Sequence, residues 1–114
     1  MKDDQAAKLT AAVAELRAEY LPTVPAKLAT LEALVRQARS NGDDDSRERL
    51  RALAHRLRGT MGSYGFAEIG AAVGRIEDAL APPRSGERAP DMWDEIEHAL
   101  QAALHVARDV GDAG

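Results

Sequence analysis

Leu50–Phe66 reads LRALAHRLRGTMGSYGF, and the spacing of its apolar side chains decides the fold. Leu50, Leu53, Leu57, Met61 and Tyr64 recur at intervals of three and four, the period of a helix with one buried face rather than the alternation of a strand. The stripe breaks at Gly65, and a second one begins at once with Phe66, Ile69, Val73, Ile76 and Leu80. Two amphipathic helices separated by so short a turn are expected to pack side by side.

The same rhythm extends in both directions. Leu21, Val24, Leu28, Leu31, Val35 and Ala38 predict a helix with Pro22 and Pro25 near its start, where a missing amide hydrogen costs little. Asn41-Gly42 ends that helix, and Asp45 with Glu48 three residues on resembles a capping box that starts the next. Upstream, Leu9, Val13, Leu16 and Tyr20 predict a first helix ending near Leu21, with residues 1–7 frayed. Downstream, Pro82-Pro83 ends the helix of Ile76, and PPRSGERAP over 82–90 reads as a surface loop. Asp91 is then expected to cap a last helix with the stripe Trp93, Ile96, Leu100, Ala103, Ala107 and Val110, leaving 111–114 as a tail. No stretch shows strand alternation. The expectation is a single all-α domain over 1–114, an antiparallel up-down four-helix bundle with an additional N-terminal helix.

The totals agree with one hydrophobic core: 114 residues, 45% hydrophobic and 30% charged, are ordinary globular proportions. The absence of cysteine excludes disulfides and thiolate metal sites and fits a reducing compartment, so a cytoplasmic location is expected. No apolar run approaches the roughly 18 residues a membrane span needs, and MKDDQAAKLTAA has no apolar signal segment. A net charge of −4 disfavours nucleic acid as a partner. The sign is uneven, however, because Arg47, Arg49, Arg51, Arg56 and Arg58 surround one histidine.

On a wheel of about 100° per residue with Leu53 at zero, the apolar stripe centres near roughly 40°, and His55 falls at about 200°. Arg51 and Arg58 lie at roughly 140 to 160°, Gly62 at about 180° and Gly59 at about 240°. His55 is therefore expected to face water, with Arg58 and two glycines on the same side. Glycine in an exposed helix interior is less favourable than alanine by roughly 1 kcal/mol, so bare backbone at 59 and 62 implies that something must approach closely. An accessible imidazole, clearance for a partner and a neighbouring cation together suit transient attachment of a phosphoryl group. Imidazole titrates near about 6.5 in the absence of perturbing neighbours, which leaves a neutral ring nitrogen free to attack phosphorus near neutral pH.

At these residues the chain resembles the histidine-containing phosphotransfer (HPt) family, whose signature is approximately A-H-x-L-K-G-S-x-x-x-x-G. It reads here Ala54-His55-Arg56-Leu57-Arg58-Gly59-Thr60, with Gly65 at the last position. The phosphotransfer domain of chemotaxis histidine kinases, H-x-[IL]-K-G-G-x-G-x-F-G-F, is the nearest version, matched also by Gly62, Tyr64 and Phe66. The resemblance implies a five-helix layout over nearly the whole chain and a phosphorelay intermediate. By it, His55 is the phosphorylated residue, Arg58 takes the place of a lysine, and Glu77 is similar to the carboxylate that orients the imidazole. Arg51, Arg56, Gly59 and Gly62 are expected to line the docking face. The implied partners are a histidine kinase catalytic domain and a response-regulator receiver domain whose aspartate exchanges the phosphoryl group, with Mg²⁺ on the partner and no cofactor on this chain. Two departures stand out. Arginine keeps the charge of the lysine but not its ability to donate a proton, and Gly74 occupies the position where the chemotaxis branch commonly has a second histidine.

Other chemistry finds little support. The chain has no Gly-rich phosphate loop of the P-loop type and no Mg²⁺ cluster, so it is not expected to use ATP alone. His98 and His105 are seven apart, roughly 10 Å along a helix, too far to share an ion. Asp43, Asp44 and Asp45 lack the alternating ligands of a calcium loop. Ser63 has no base or oxyanion loop beside it in the sequence. A helical adaptor that docks receivers or kinases without phosphorylation is the alternative function. A dimeric kinase stem fits less well, because an acidic residue and a nearby proline typically follow the histidine there; a monomer is expected.

Overall fold

The structure of the protein, a computed structural model, describes residues 2–81 and 92–113, with side chains at 5–81 and 92–111. Its elements are α1 (Lys2–Tyr20), a single 3-10 turn (Leu21–Thr23), α2 (Val24–Asn41), α3 (Asp44–Ser63), α4 (Ala67–Leu80) and α5 (Met92–Ala113). No strand occurs among the described residues. The fold is all-α, as the apolar periodicity requires.

Helices α2 to α5 form the bundle. α3 packs most extensively on α4 and α4 on α5, while α2 closes the ring against α3 and α5. Leu28, Leu31 and Val35 of α2 meet Leu50, Leu57 and Met61 of α3, Ile69, Val73 and Ile76 of α4, and Ile96 and Leu100 of α5 in one core. Burying each of these larger side chains stabilises the fold by roughly 1.5–3 kcal/mol. Among the described residues no polar or charged side chain is fully buried, so the core itself is held by apolar packing.

The inward face of α3 differs from the wheel in a way that matters. Ala54 is fully buried while Leu53 is only partly covered. The buried set Leu50, Ala54, Leu57 and Met61 centres near roughly 70° on the same wheel, about 30° beyond the expected direction. The helix is rolled so that the methyl group of Ala54, and not the Leu53 side chain, faces fully inward. His55 consequently stands on the flank of the bundle beside α4 rather than directly opposite the core.

The turns are built from local chemistry. Gly42 ends α2 in the left-handed conformation (φ 68°), and the next residue, Asp43, is extended and caps α3 by accepting from the Ser46 amide at 2.8 Å. The cap is therefore Asp43 and not Asp45, because the left-handed glycine leaves a single extended residue before the helix begins. Asp45 and Glu48 lie inside α3 and pair with Arg49 and Arg51 instead. At the other end of α3, the Gly65 amide donates to Gly62 and the Phe66 amide to Met61, a closing pattern that requires the positive φ of Gly65 (85°).

Helix α1 departs most from expectation. Its four-three-four spacing does form a helix, but Leu9, Val13 and Leu16 are exposed, Leu9 at 68%. The backbone stays right-handed helical at Tyr20, Thr23 and Val24, so α1 continues outward from the start of α2 instead of folding back. Set end to end, the two helices would span about 55 Å, which is the longest dimension of the molecule, 55 Å. The radius of gyration of 16.4 Å exceeds the roughly 13 Å of a compact chain this long for the same reason. α1 is helical from Lys2, where fraying was expected over 1–7, and α5 runs through Ala113, where a tail was expected from 111. Residues 2–7 hold neither glycine nor proline, and α5 continues through Gly111 without a break. The 82–90 loop, the helix-ending Pro82-Pro83 and the Asp91 cap lie outside the described residues.

Leu28→Ala should lower the unfolding free energy by about 2–5 kcal/mol. Leu9→Ala on the projecting helix should change it by no more than about 0.5 kcal/mol; urea titration of both variants checks the contrast.

Candidate functional site

His55 sits in mid-α3 with its side chain 76% exposed, and its Nδ1 lies 2.6 Å from Oε2 of Glu77 on α4. The carboxylate is only 13% exposed, so it reaches the ring from the seam between the two helices. A carboxylate at that distance accepts from Nδ1–H, which assigns the proton to Nδ1 and leaves the Nε2 lone pair directed outward. Among the described residues Nε2 has no hydrogen-bond partner.

Glu77 is a tuned group. Burial works to raise its carboxyl, but hydrogen bonds from His55 and Arg58, and the charges of both, outweigh burial and hold it below the ordinary value. It stays ionised near neutral pH and keeps the imidazole in one tautomer. Arg58, three residues after His55 and half-exposed, sends Nη1 to Glu77 Oε1 at 3.3 Å and to Asp78 Oδ1 at 3.3 Å. One carboxylate thus takes the ring on one oxygen and the guanidinium on the other.

Gly59 and Gly62 face open space, and a Cβ built on either would meet nothing within 4 Å. Two open depressions flank the imidazole. One, of about 510 Å³, is lined by Arg51, His55, Arg58, Gly59, Glu77 and Asp78. The other, of about 560 Å³, is lined by His55, Arg56, Gly59, Thr60, Ser63 and Tyr64. His55 stands on the ridge between them.

The basic collar carries less net charge than the count of arginines implies. Arg47 pairs with Asp44, Arg49 with Asp45, and Arg51 with both oxygens of Glu48 at 3.1 Å. These partners sit three or four residues away on the same helix, where such pairs form with little constraint. Arg56 has no ion pair among the described residues.

Sequence reasoning missed Asp78, which no wheel of α3 alone places next to Arg58. It also assigned Tyr64 to the core stripe, whereas the ring is partly exposed and stacks on Tyr20 of α1 at 4.3 Å and 4°. Arg17 of α1 lies over the Phe66 ring at 4.8 Å. The aromatic residues that follow the glycines therefore anchor the end of α1 as well as closing α3. His98 and His105 are both exposed on α5, the latter 3.5 Å from Asp109. Among the described residues no group of three or more His, Cys, Asp or Glu side chains gathers as a metal site.

A helical bundle that presents one imidazole to solvent, with a carboxylate on its inner nitrogen and a cation alongside, is an arrangement that can hold and pass on a phosphoryl group. The family model for the Hpt domain matches residues 15–109, and the chain belongs to that family. Hpt domains serve phosphotransfer in histidine–aspartate phosphorelays, as carriers working with kinases and receivers rather than as catalysts themselves. The match begins near the end of α1, and the part of that helix projecting from the bundle lies mostly outside it. No curated protein and no solved structure matches the chain. No described helix is long and apolar enough to cross a membrane.

The depressed Glu77 carboxyl has a signed consequence. Its stabilising contribution is complete above the ordinary value of 4.5 and is lost as pH falls through the lower folded-state value. The stability difference between the wild type and Glu77→Gln, read from urea titrations at several pH values, should therefore be constant near neutrality and shrink below pH about 4.5.

Proposed function

We propose that His55 accepts a phosphoryl group on Nε2 and passes it to, or receives it from, the aspartate of a response-regulator receiver domain, with a histidine kinase catalytic domain as the other partner. The observation that carries this reading is the 2.6 Å contact between Glu77 and Nδ1 of a ring whose opposite edge is open to solvent. In the receiving direction the Nε2 lone pair attacks phosphorus of the aspartyl phosphate. The bond from phosphorus to the aspartyl oxygen breaks, and the carboxylate leaves with its electron pair. The Nδ1 proton stays in the hydrogen bond to Glu77, which offsets the positive charge that develops on the ring. Donation runs the same steps backward.

Arg58 is the cation for the phosphoryl oxygens, acting by charge and hydrogen bonding because a guanidinium does not give up a proton. Arg51, Arg56, Gly59 and Gly62 form the docking face. Bare backbone at 59 and 62 admits the rim of a receiver pocket, and Arg56, free of an acidic partner among the described residues, faces the acidic residues of that pocket. Mg²⁺ belongs to the partner, and this chain acts as a monomer without a cofactor.

Intact-mass measurement after mixing with a phosphorylated receiver tests the proposal. One acid-labile phosphoryl group should appear on the wild type and be absent from His55→Gln. No addition under conditions where the complex forms would overturn it in favour of a non-phosphorylated adaptor.

A further inference from the structure

Gly74 lies buried in the middle of α4, where alanine would favour the helix by up to about 1 kcal/mol. Its φ is not positive, so the backbone itself does not require glycine. The space around it does. A Cβ built there would lie 2.8 Å from Nε, 3.0 Å from Cζ and 3.1 Å from Cδ of Arg58. The guanidinium occupies the volume of the missing methyl group.

Gly70, one turn earlier, makes a useful contrast. A Cβ there would meet the carbonyl oxygen of Arg58 at 3.3 Å and the Gly62 amide nitrogen at 3.4 Å, so Gly70 lets two backbones approach. Gly74 receives only the far end of one long side chain. From that seat Nη1 of Arg58 reaches Glu77 and Asp78, three and four residues further along the same helix. Gly74, Glu77 and Asp78 share one patch of α4, which holds the guanidinium flat against the helix beside the imidazole.

We propose that Gly74 is a positioning residue that seats the Arg58 guanidinium next to His55, and that an arginine at 58 depends on the bare backbone at 74. The role assigned to Arg58 rests on the phosphocarrier reading, whereas the seat itself does not. All three atoms that crowd Gly74 belong to the run from Cδ to Cζ, so a Cβ at 74 would push the outer half of the side chain off α4.

The test is a cycle of Gly74→Ala, Arg58→Ala and the double variant, each followed by thermal melting and by the rate of phosphoryl transfer from a phosphorylated receiver. Gly74→Ala should melt no lower than the wild type, because the group it displaces is a flexible side-chain end. It should slow transfer about tenfold, the scale of weakening one charge-assisted hydrogen bond. Added to Arg58→Ala, which empties the seat, the same substitution should leave the rate of that variant unchanged. Independently of transfer, the ¹H–¹⁵N resonance of Arg58 Nε should shift in Gly74→Ala. An equal slowing in both backgrounds, a lowered melting temperature in both, an unaltered rate with Arg58 present, or an unmoved Nε resonance would each overturn the proposal. If the wild type accepts no phosphoryl group at all, the phosphocarrier reading fails, and the Nε resonance alone decides the seat.

Discussion

The close crossing of α3 and α4 is the constraint on which the site depends. At Gly70 the helices approach until a single added carbon would press on the backbone of α3. That proximity brings a carboxylate from α4 within 2.6 Å of an imidazole on α3. A helix pair held apart by larger side chains would leave Glu77 in water, unable to select a tautomer. The geometry of the site thus follows from a glycine in the packing interface and is made rigid by a core without buried polar groups among the described residues.

Within that frame Glu77 has two duties. One oxygen holds the ring and the other holds the guanidinium, so imidazole and guanidinium share one anchor and are positioned relative to each other. The arrangement leaves the outer face of the imidazole bare, with open depressions on both sides. In the phosphocarrier role proposed for His55 the ring would enter another protein's active site, and a site built from behind suits that role. Rigid helices hold the orienting groups in place, and the approach is left to the partner.

Helix α1 shows where local pattern and tertiary packing part company. Its apolar spacing is as regular as that of the bundle helices, yet Leu9, Val13 and Leu16 stay exposed. The proline-bearing turn after Tyr20 keeps helical backbone angles, so α1 extends from α2 rather than reversing onto the bundle. Among the described residues its contacts with the bundle come from its last turn, through Tyr20 on Tyr64 and Arg17 over Phe66.

The amino-acid sequence by itself determined the helices and the histidine. Apolar residues at intervals of three and four define one face per helix, and the angle between that face and His55 is large enough to survive a roll of about 30°. Glycines at 42 and 65 marked the turns because only their backbone accepts a left-handed angle without strain. The tertiary structure decided what lies across a gap between helices: the proton on Nδ1, the reach of Arg58 to Asp78, the seat at Gly74 and the outward course of α1. Those depend on how far two helices approach and how each is rolled about its axis. Both are set by the summed packing of the whole core, which no periodicity read along a single helix contains.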